Sequence, residues 1–413
     1  MRILLLVDVL SVGGLPNYVL NLARELSGCG DDVAVAYGGP DVPSNLDATG
    51  VQLLPLPQRE AVAAAHCLRQ WHPDVVHVHL CSDPILLEAL RLLKRPLLRS
   101  FHDYTSLCMR RGRRRWPGDR CQRALGLGCV LQGCVLGPPQ AGSAWPSWQS
   151  LPAKMAERQG YQSYDCSVVG SHYMRKALLT NGFAPDRVHL VPYFSRFGAP
   201  EHGHAQLAPK PGGVPGIERP MQFLFAGQAV AGKGLRVLVR ALAALPQDRN
   251  WQLTVVSDGP ELAPAKALAQ RLGIDGRILF AGWLPQSELD GVYRQADLLV
   301  LPSVWDDPGP LVGIEALSVG TPVLGFPVGG IPDYTVDGHT GLLVPEVSVK
   351  ALTATLLVAL EKGELLAGMG EAGRAWVGAR HGRAQHIELL RRLYGQALEQ
   401  RAGRPAPAMA AAA

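Results

Sequence analysis

The stretch "ADLLVLPSVWDDPGPLVGIEALSVGTPVLGF", residues 296–326, decides how the chain is read. Its opening is an apolar run of strand length, closed by Pro302 and Ser303. "VWDDPGP" is then a loop of turn formers. "LVGIEALSVG" reads as an apolar helix and "GTPVLGF" as a second strand. Strand, loop, helix, strand is the unit of a parallel sheet, because parallel neighbours need a crossover between them. Two of its carboxylates stand out against the apolar pattern: Asp307 in the loop and Glu315 on the first turns of the helix. Both fall at the C-terminal edge of a strand, where open α/β sheets bind ligands.

The same alternation extends in both directions. "RILLLVDVL" at the N-terminus is a continuous apolar run, as expected of a strand covered on both faces. "LPNYVLNLARELSG" follows as a helix, then "DVAVAY", "DVVHVHL", "PLLRSFH", "CSVVGS" and "VHLVPYF" as strands. The pattern starts afresh with "QFLFAGQ" and continues through "WQLTVVSDG", "RILFAGW" and "GLLVP". Between the halves, residues 197–221 are rich in Pro and Gly and lack periodicity, so they read as a linker. The expected architecture is α/β, with two doubly wound Rossmann-like domains facing across a cleft. The first is residues 1–196 and the second 222–382. A last helix over 383–403 has no strand after it and is expected to pack back on the first domain. Residues 404–413 read as a disordered tail.

Composition narrows the classes. Of the 413 residues 47% are hydrophobic and 18% charged, which supports large cores and excludes a disordered or fibrous chain. No apolar run reaches the roughly 18–20 residues that span a bilayer. The opening run is short and contains Asp8, so it reads as a strand and not a signal peptide. A cytoplasmic protein is the expectation, and its eight cysteines are then expected to be reduced. The net charge of +5 suits an anionic ligand or surface without selecting one.

The chemistry is sought at the strand edges. A carboxylate accepts hydrogen bonds from hydroxyls. Helix N-termini at the same edge suit phosphate. Asp307 and Glu315 therefore fit two polyhydroxylated groups flanking a diphosphate, as in a nucleoside-diphosphate sugar. By itself the spacing is equally that of a turn aspartate followed by a solvated helix glutamate. Lys233 lies in the glycine-rich "AGQAVAGKG", which permits close backbone approach to a departing diphosphate. Gly13 and Gly14 follow the first strand, and His102 follows the strand in "SFHDY". His77 and His79 share one face of a strand; His79 reads as lining the cleft edge and His77 as packing.

The carboxylate segment resembles the E-x7-E signature of glycosyltransferase family 4, the large retaining group with the GT-B fold. The resemblance runs on through "EALSVGTPVLGFPVGGIPDYTVDGHTGLLVP", residues 315–345, and includes "DVLSVGGLPNYVLNLARELSG", "FLFAGQAVAGKGLRVLVRAL" and "VVSDGPE". It implies roles for individual positions. Glu315 falls on the carboxylate that holds the ribose hydroxyls. Asp307 falls on the one that contacts the transferred sugar, where the family usually has Glu. Lys233 falls on the residue placed on the donor phosphates. Gly227 and Gln228 share its loop, Gln228 standing where an Arg is usual, and Pro310 stands where Gly is frequent. Gly309 and Leu311, with Gly13 and Gly14, complete the implied donor site. His102 is placed near the reacting sugar, as a catalytic and acceptor-side group able to bond a hydroxyl and tune charge near neutral pH. GT-B catalysis is generally independent of metal, so no catalytic cofactor is implied.

One segment is less expected. Within the Cys- and Arg-rich insert 104–140, Cys108, Cys121, Cys129 and Cys134 suffice in number for a structural zinc, but no C-x2-C knuckle supports it. Arg110, Arg111, Arg113, Arg114 and Arg115 precede Trp116. With His79 and His102, Arg111 and Arg113 are the expected acceptor-side residues, suited to an anionic saccharide or lipid-linked acceptor and to peripheral contact with an anionic membrane. Nucleic acid is not expected, for want of aromatic interleaving or a known module. The expected function is transfer of a sugar from a nucleoside-diphosphate sugar to such an acceptor, in cell-surface polysaccharide or glycolipid synthesis. A nucleotide-sugar-binding subunit without turnover and a nucleotide-sugar epimerase are the alternatives.

Overall fold

The structure, a computed structural model, describes residues 1–413 except 12, 40–41, 44–45, 58–59, 115–119, 140–145, 198–211 and 403–413. The expected tail, 404–413, lies outside the described residues, as do Arg115, Trp116 and much of the linker.

The strands of the first half are β1 (Arg2–Val7), β2 (Asp32–Tyr37), β3 (Gln52–Pro55), β4 (Val75–Val78), β5 (Leu97–Phe101), β6 (Leu136–Pro139), β7 (Pro146–Trp148), β8 (Cys166–Val169) and β9 (Val188–Leu190). Those of the second are β10 (Met221–Ala226), β11 (Trp251–Val256), β12 (Ile278–Gly282), β13 (Leu298–Leu301), β14 (Val323–Gly325) and β15 (Gly341–Leu343). Among the described residues they form a seven-stranded sheet, β3-β2-β1-β4-β5-β8-β9, a six-stranded sheet, β12-β11-β10-β13-β14-β15, and the hairpin β6-β7. Pairings in both large sheets are parallel, with β1 against β2 and β4, and β10 against β11 and β13.

The apolar runs explain the strands. All four residues of β4 and the last five of β1 are buried, as strands sandwiched between helix layers must be. Helices α1 (Gly14–Gly28), α2 (Ala61–Gln70), α3 (Pro84–Leu93), α4 (Leu127–Leu131), α5 (Leu151–Gln162) and α6 (His172–Thr180) belong to the first half. The second half has α7 (Leu235–Ala243), α8 (Leu262–Arg271), α9 (Gln286–Gln295), α10 (Leu311–Ser318), α11 (Val349–Glu361), α12 (Leu365–Arg380) and α13 (Arg383–Ala402).

Both sheets reverse their strand order once. In the first sheet this happens between β1 and β4, in the second between β10 and β13. A crevice opens where neighbouring loops diverge to opposite faces. The loops after β1 and β4 carry Gly13, Gly14 and His79, and the loops after β10 and β13 carry Lys233 and Asp307. The fold alone therefore gathers the expected residues at two switch points. After α12 the chain returns to the first domain. There α13 places Tyr394 Oη 2.8 Å from His77 Nδ1, Arg383 on Glu25 at 2.8 Å and Arg391 on Asp31 at 3.0 Å. Among the described residues, no helix is long and apolar enough to cross a membrane.

Candidate active site

Asp307 and Lys233 come from neighbouring loops and form an ion pair. Two glycines make this approach possible. At Gly234, with φ 76°, an added Cβ would lie 1.8 Å from the Pro302 carbonyl oxygen, so the lysine loop lies flat on the start of the carboxylate loop. At Gly329, with φ 56°, a Cβ would lie 1.8 Å from the Asp307 carbonyl oxygen, which instead accepts from Gly330 N at 2.8 Å. Non-glycine residues are strained in this left-handed region, and any Cβ would push the loops apart. The "VGG" of 328–330 thus sets the position of Asp307 from behind.

Glu315 lies one turn into α10. Arg196 reaches it from the end of the first domain at 3.4 Å, and Tyr293 donates its hydroxyl to the other carboxylate oxygen at 2.9 Å. Burial, then the Glu315 charge, push the Tyr293 hydroxyl well above its ordinary pKa, so it stays a donor. The first residues of α10 have no side-chain cap behind Pro310, which leaves backbone N–H groups at the mouth of the site.

From the first sheet, His102 Nδ1 lies 2.8 Å from the Tyr193 hydroxyl and its Nε2 3.1 Å from His79 Nδ1. The His102 and Tyr193 rings stack at 5.7 Å. Tyr193 in turn abuts the donor loop: a Cβ on Gly309 would lie 3.0 Å from its ring. It therefore joins the expected acceptor-side histidine to the loop of Asp307. Burial, reinforced by His77, Arg99 and His386, lowers the His102 pKa to about 3. His102 is accordingly a neutral hydrogen-bonding imidazole at physiological pH. The expectation that it tunes charge near neutrality is corrected: desolvation in this pocket disfavours the cation.

Other expected residues fall as follows. Gly13 caps α1, and a Cβ at Gly14 meets nothing within 4 Å, which leaves room beside this loop. Gln228 is exposed, and Gly227 at φ 127° accepts from Ser257 Oγ at 2.5 Å. Leu311 opens α10 and is half-buried. His79 does not line the cleft; it is 1% exposed and stands behind His102, with Nε2 buried and unpaired among the described residues. Arg113 is 5% exposed, donates to the Cys121 carbonyl oxygen at 2.9 Å and lies over Tyr104, so it holds the insert together and does not face an acceptor. Arg111 is exposed.

Among the described residues no group of three or more His, Cys, Asp or Glu side chains is arranged to hold a metal ion. The four insert cysteines lie near one another, Cys108, Cys121 and Cys129 each acting on the charge of Cys134. Cys134 and Cys129 belong to a small core with Met109, Leu125 and Val135, while Cys108 packs on the core of the first domain. Burial raises the Cys108 and Cys134 pKa values, which keeps both as thiols.

Sequence reasoning passed over Tyr193, Arg196, Tyr293 and Asp306. Asp306 accepts from Arg120 of the insert at 2.8 Å and from Tyr173 of α6. Trp305 beside it is wedged between Gly232 and Gly112 of the insert. The doubled "DD" was the available signal: one carboxylate faces the lysine loop and the other anchors the insert. A recess of about 620 Å³ lies elsewhere, between β8 and α13, and gathers none of these groups.

Residues 13–193 match the glycosyl transferase 4-like domain family and residues 214–376 the glycosyl transferases group 1 family, which together take in both halves of the site. The chain belongs to glycosyltransferase family 4. This family 4 chain is 39% identical over 154 residues to a D-inositol 3-phosphate glycosyltransferase of Corynebacterium glutamicum (strain R), covering 36% of this chain and 37% of that protein. It is 31% identical over 199 residues to a 2-deoxystreptamine glucosyltransferase of Streptomyces kanamyceticus, covering 47% of each. It is 29% identical over 241 residues to a GDP-mannose-dependent alpha-(1-6)-phosphatidylinositol monomannoside mannosyltransferase of Mycolicibacterium smegmatis, covering 55% and 62%. The matched stretches thus span about two fifths to three fifths of these curated relatives. Among solved structures, a sucrose-phosphate synthase from Thermosynechococcus elongatus superposes with TM-score 0.70 at 20% identity, covering 97% of this chain and 100% of that one. Anabaena HepE in complex with UDP-glucose superposes with TM-score 0.67 at 15% identity, covering 97% and 100%. The fold of this family 4 chain is GT-B.

Proposed function

We propose that the protein transfers a glycosyl group, with retention, from a nucleoside-diphosphate sugar to a saccharide or lipid-linked acceptor in cell-surface polysaccharide or glycolipid synthesis. The observation that carries this reading is the meeting of Lys233, Asp307 and Glu315 at one switch point with His102 and Tyr193 facing them from the other sheet. Solved GT-B neighbours bind UDP and UDP-glucose, and curated relatives are named for inositol phosphate and phosphatidylinositol mannoside substrates, which supports a nucleotide-sugar donor and a glycolipid acceptor.

In this reading Lys233 and the first N–H groups of α10 take the diphosphate charge, and Glu315 takes the ribose hydroxyls. The acceptor oxygen bonds to the anomeric carbon on the face from which the diphosphate oxygen leaves. Its proton passes to that departing oxygen, so charge and atoms balance without a covalent enzyme intermediate. His102, kept neutral, bonds a sugar hydroxyl and is held in place by Tyr193. The site of action is proposed to be the cytoplasmic face of the membrane.

The test is thermal stabilisation by a panel of nucleoside-diphosphate sugars, since a specific donor raises the melting temperature by mass action. Nucleotide release is then followed with the donor that binds. Stabilisation with turnover is the expected result. Stabilisation without turnover against any acceptor or water would leave a binding subunit, and no stabilisation by any donor would overturn the reading.

A further inference from the structure

The insert between β5 and α5 carries an apolar face that nothing in the site uses. Leu131 is 88% exposed, Leu127 79% and Trp148 73%, and these are the three most exposed large apolar side chains among the described residues. Val130 at 43% and Leu136 at 44% lie beside them. They are not scattered. Leu127, Val130 and Leu131 sit at i, i+3 and i+4 on α4, on one side of that helix. Leu136 and Trp148 are direct partners across the β6–β7 hairpin, so they share its face. The hairpin follows α4 after a turn at Gly133. Beneath them, Met109, Leu125, Cys134, Val135 and Leu151 form the insert's own small core. The outward residues are therefore surplus to that core.

Charge selects what would cover this face. Residues 104–150 contain seven arginines against the single Asp119, more positive charge than the +5 of the whole chain. Arg110, Arg111 and Arg123 are exposed. A folded protein partner would be expected to answer these three exposed arginines with specific carboxylates. An anionic bilayer answers them collectively and also accepts leucines and a tryptophan at headgroup depth. We propose that α4 and the β6–β7 hairpin form the surface by which the protein docks on an anionic lipid bilayer. Leu127, Leu131 and Trp148 enter the interface and the exposed arginines lie over the headgroups. Because Arg120 ties the insert to Asp306, next to Asp307, a docked bilayer lies beside the mouth of the cleft. The inference does not depend on sugar transfer, and a failure of one leaves the other standing.

The test is co-sedimentation with vesicles of phosphatidylcholine, alone or with phosphatidylglycerol as about a third of the lipid. Binding to the anionic vesicles at least tenfold tighter than to neutral ones is expected. Changing Leu127, Leu131 and Trp148 together to Ser should abolish most of it at an unchanged melting temperature. Changing Arg110, Arg111 and Arg123 to Ser should remove the anionic preference and flatten the salt dependence. A single Trp148→Phe substitution serves if the triple variant fails to fold. Lipids brominated on the acyl chain should quench part of the wild-type fluorescence, and Trp148→Phe should lose that part. Wild-type protein that stays in the supernatant at low salt overturns the proposal. So does quenching unchanged in Trp148→Phe, or a wild-type dimer that the serine variant converts to monomer, which would assign the face to a second copy of the chain.

Discussion

Acidification should unfold the first domain well before carboxylates begin to titrate. His77 and His386 are buried beneath the site, His102 is half-buried in it, and all three are bonded as neutral rings: His77 between Tyr394 and Ser100, His102 between Tyr193 and His79, His386 between Tyr18 and the Pro192 carbonyl. Burial lowers the pKa of His77 and His102 to about 3 and of His386 to about 4. His79, His381 and His189 are lowered in the same direction. In the unfolded chain each imidazole binds a proton below its ordinary value near 6.5, and in the folded chain it does not. The unfolded state then holds more protons, so stability is present above about pH 6.5 and is lost as pH falls toward about 4. Between about pH 7.5 and about pH 5, each of the three costs about 2 kcal/mol, or about 6 kcal/mol together. That is comparable with the whole stability of a typical domain. At about 2–4 °C per kcal/mol for a domain of this size, the melting temperature should fall by more than about 10 °C. Most carboxylates remain ionised over this window, so the slope belongs to the histidines. The assay is thermal unfolding by circular dichroism across the pH series, for wild type and His77→Gln. Glutamine keeps a donor and an acceptor but does not titrate, so the variant should lose about 2 kcal/mol of the pH dependence whatever its stability at pH 7.5. A wild-type melting temperature that is flat over the window, or an identical slope in the variant, would refute the reasoning.

Four substitutions probe the site itself. Glu315→Gln should weaken the donor found in the nucleotide-sugar panel by about tenfold, or about 1.4 kcal/mol, by calorimetric titration; equal affinity would remove Glu315 from the donor. Lys233→Ala should lower both turnover and melting temperature, because it strands Asp307, which is 8% exposed. Adding Asp307→Asn should restore the melting temperature without restoring turnover, and recovery of both would make the pair structural only. Tyr193→Phe keeps the ring against Gly309 while deleting the bond to His102, so kcat should fall by up to about tenfold at little change in melting temperature; an unchanged kcat would leave Tyr193 as packing.

Both sheets were legible because their strands are buried on two faces and so write continuous apolar runs into the sequence. The carboxylate loop was legible for the complementary reason: Asp307 and Glu315 break such a run. The partners were not. Arg196 and Tyr293 reach Glu315 from positions 119 and 22 residues away, and Tyr193 reaches His102 from 91. Separations of this kind leave no local period to read. Arg113 misled for a local reason: in a run of arginines nothing marks the one whose backbone, at φ 50°, turns its side chain inward over Tyr104. The four insert cysteines could be counted in the sequence, but that Cys108, Cys121 and Cys129 all lie near enough to Cys134 to act on its charge could not.

Three cation–carboxylate pairs surround the carboxylate loop: Lys233 with Asp307, Arg196 with Glu315, and Arg120 with Asp306. Two of the cations, Arg196 and Arg120, come from the first half of the chain, and Asp306 and Glu315 from the second. Breaking a buried pair costs several kcal/mol when one charge is left alone, so such pairs yield only to exchange. A diphosphate is a suitable competitor, because it offers its own charge to Lys233 and Arg196 at the moment it displaces the carboxylates. Each displaced carboxylate then becomes a free acceptor next to the hydroxyl-bearing ends of a nucleoside-diphosphate sugar. The Arg120–Asp306 pair touches no donor-site group and has no reason to exchange. It holds the insert against the carboxylate loop, one residue from Asp307.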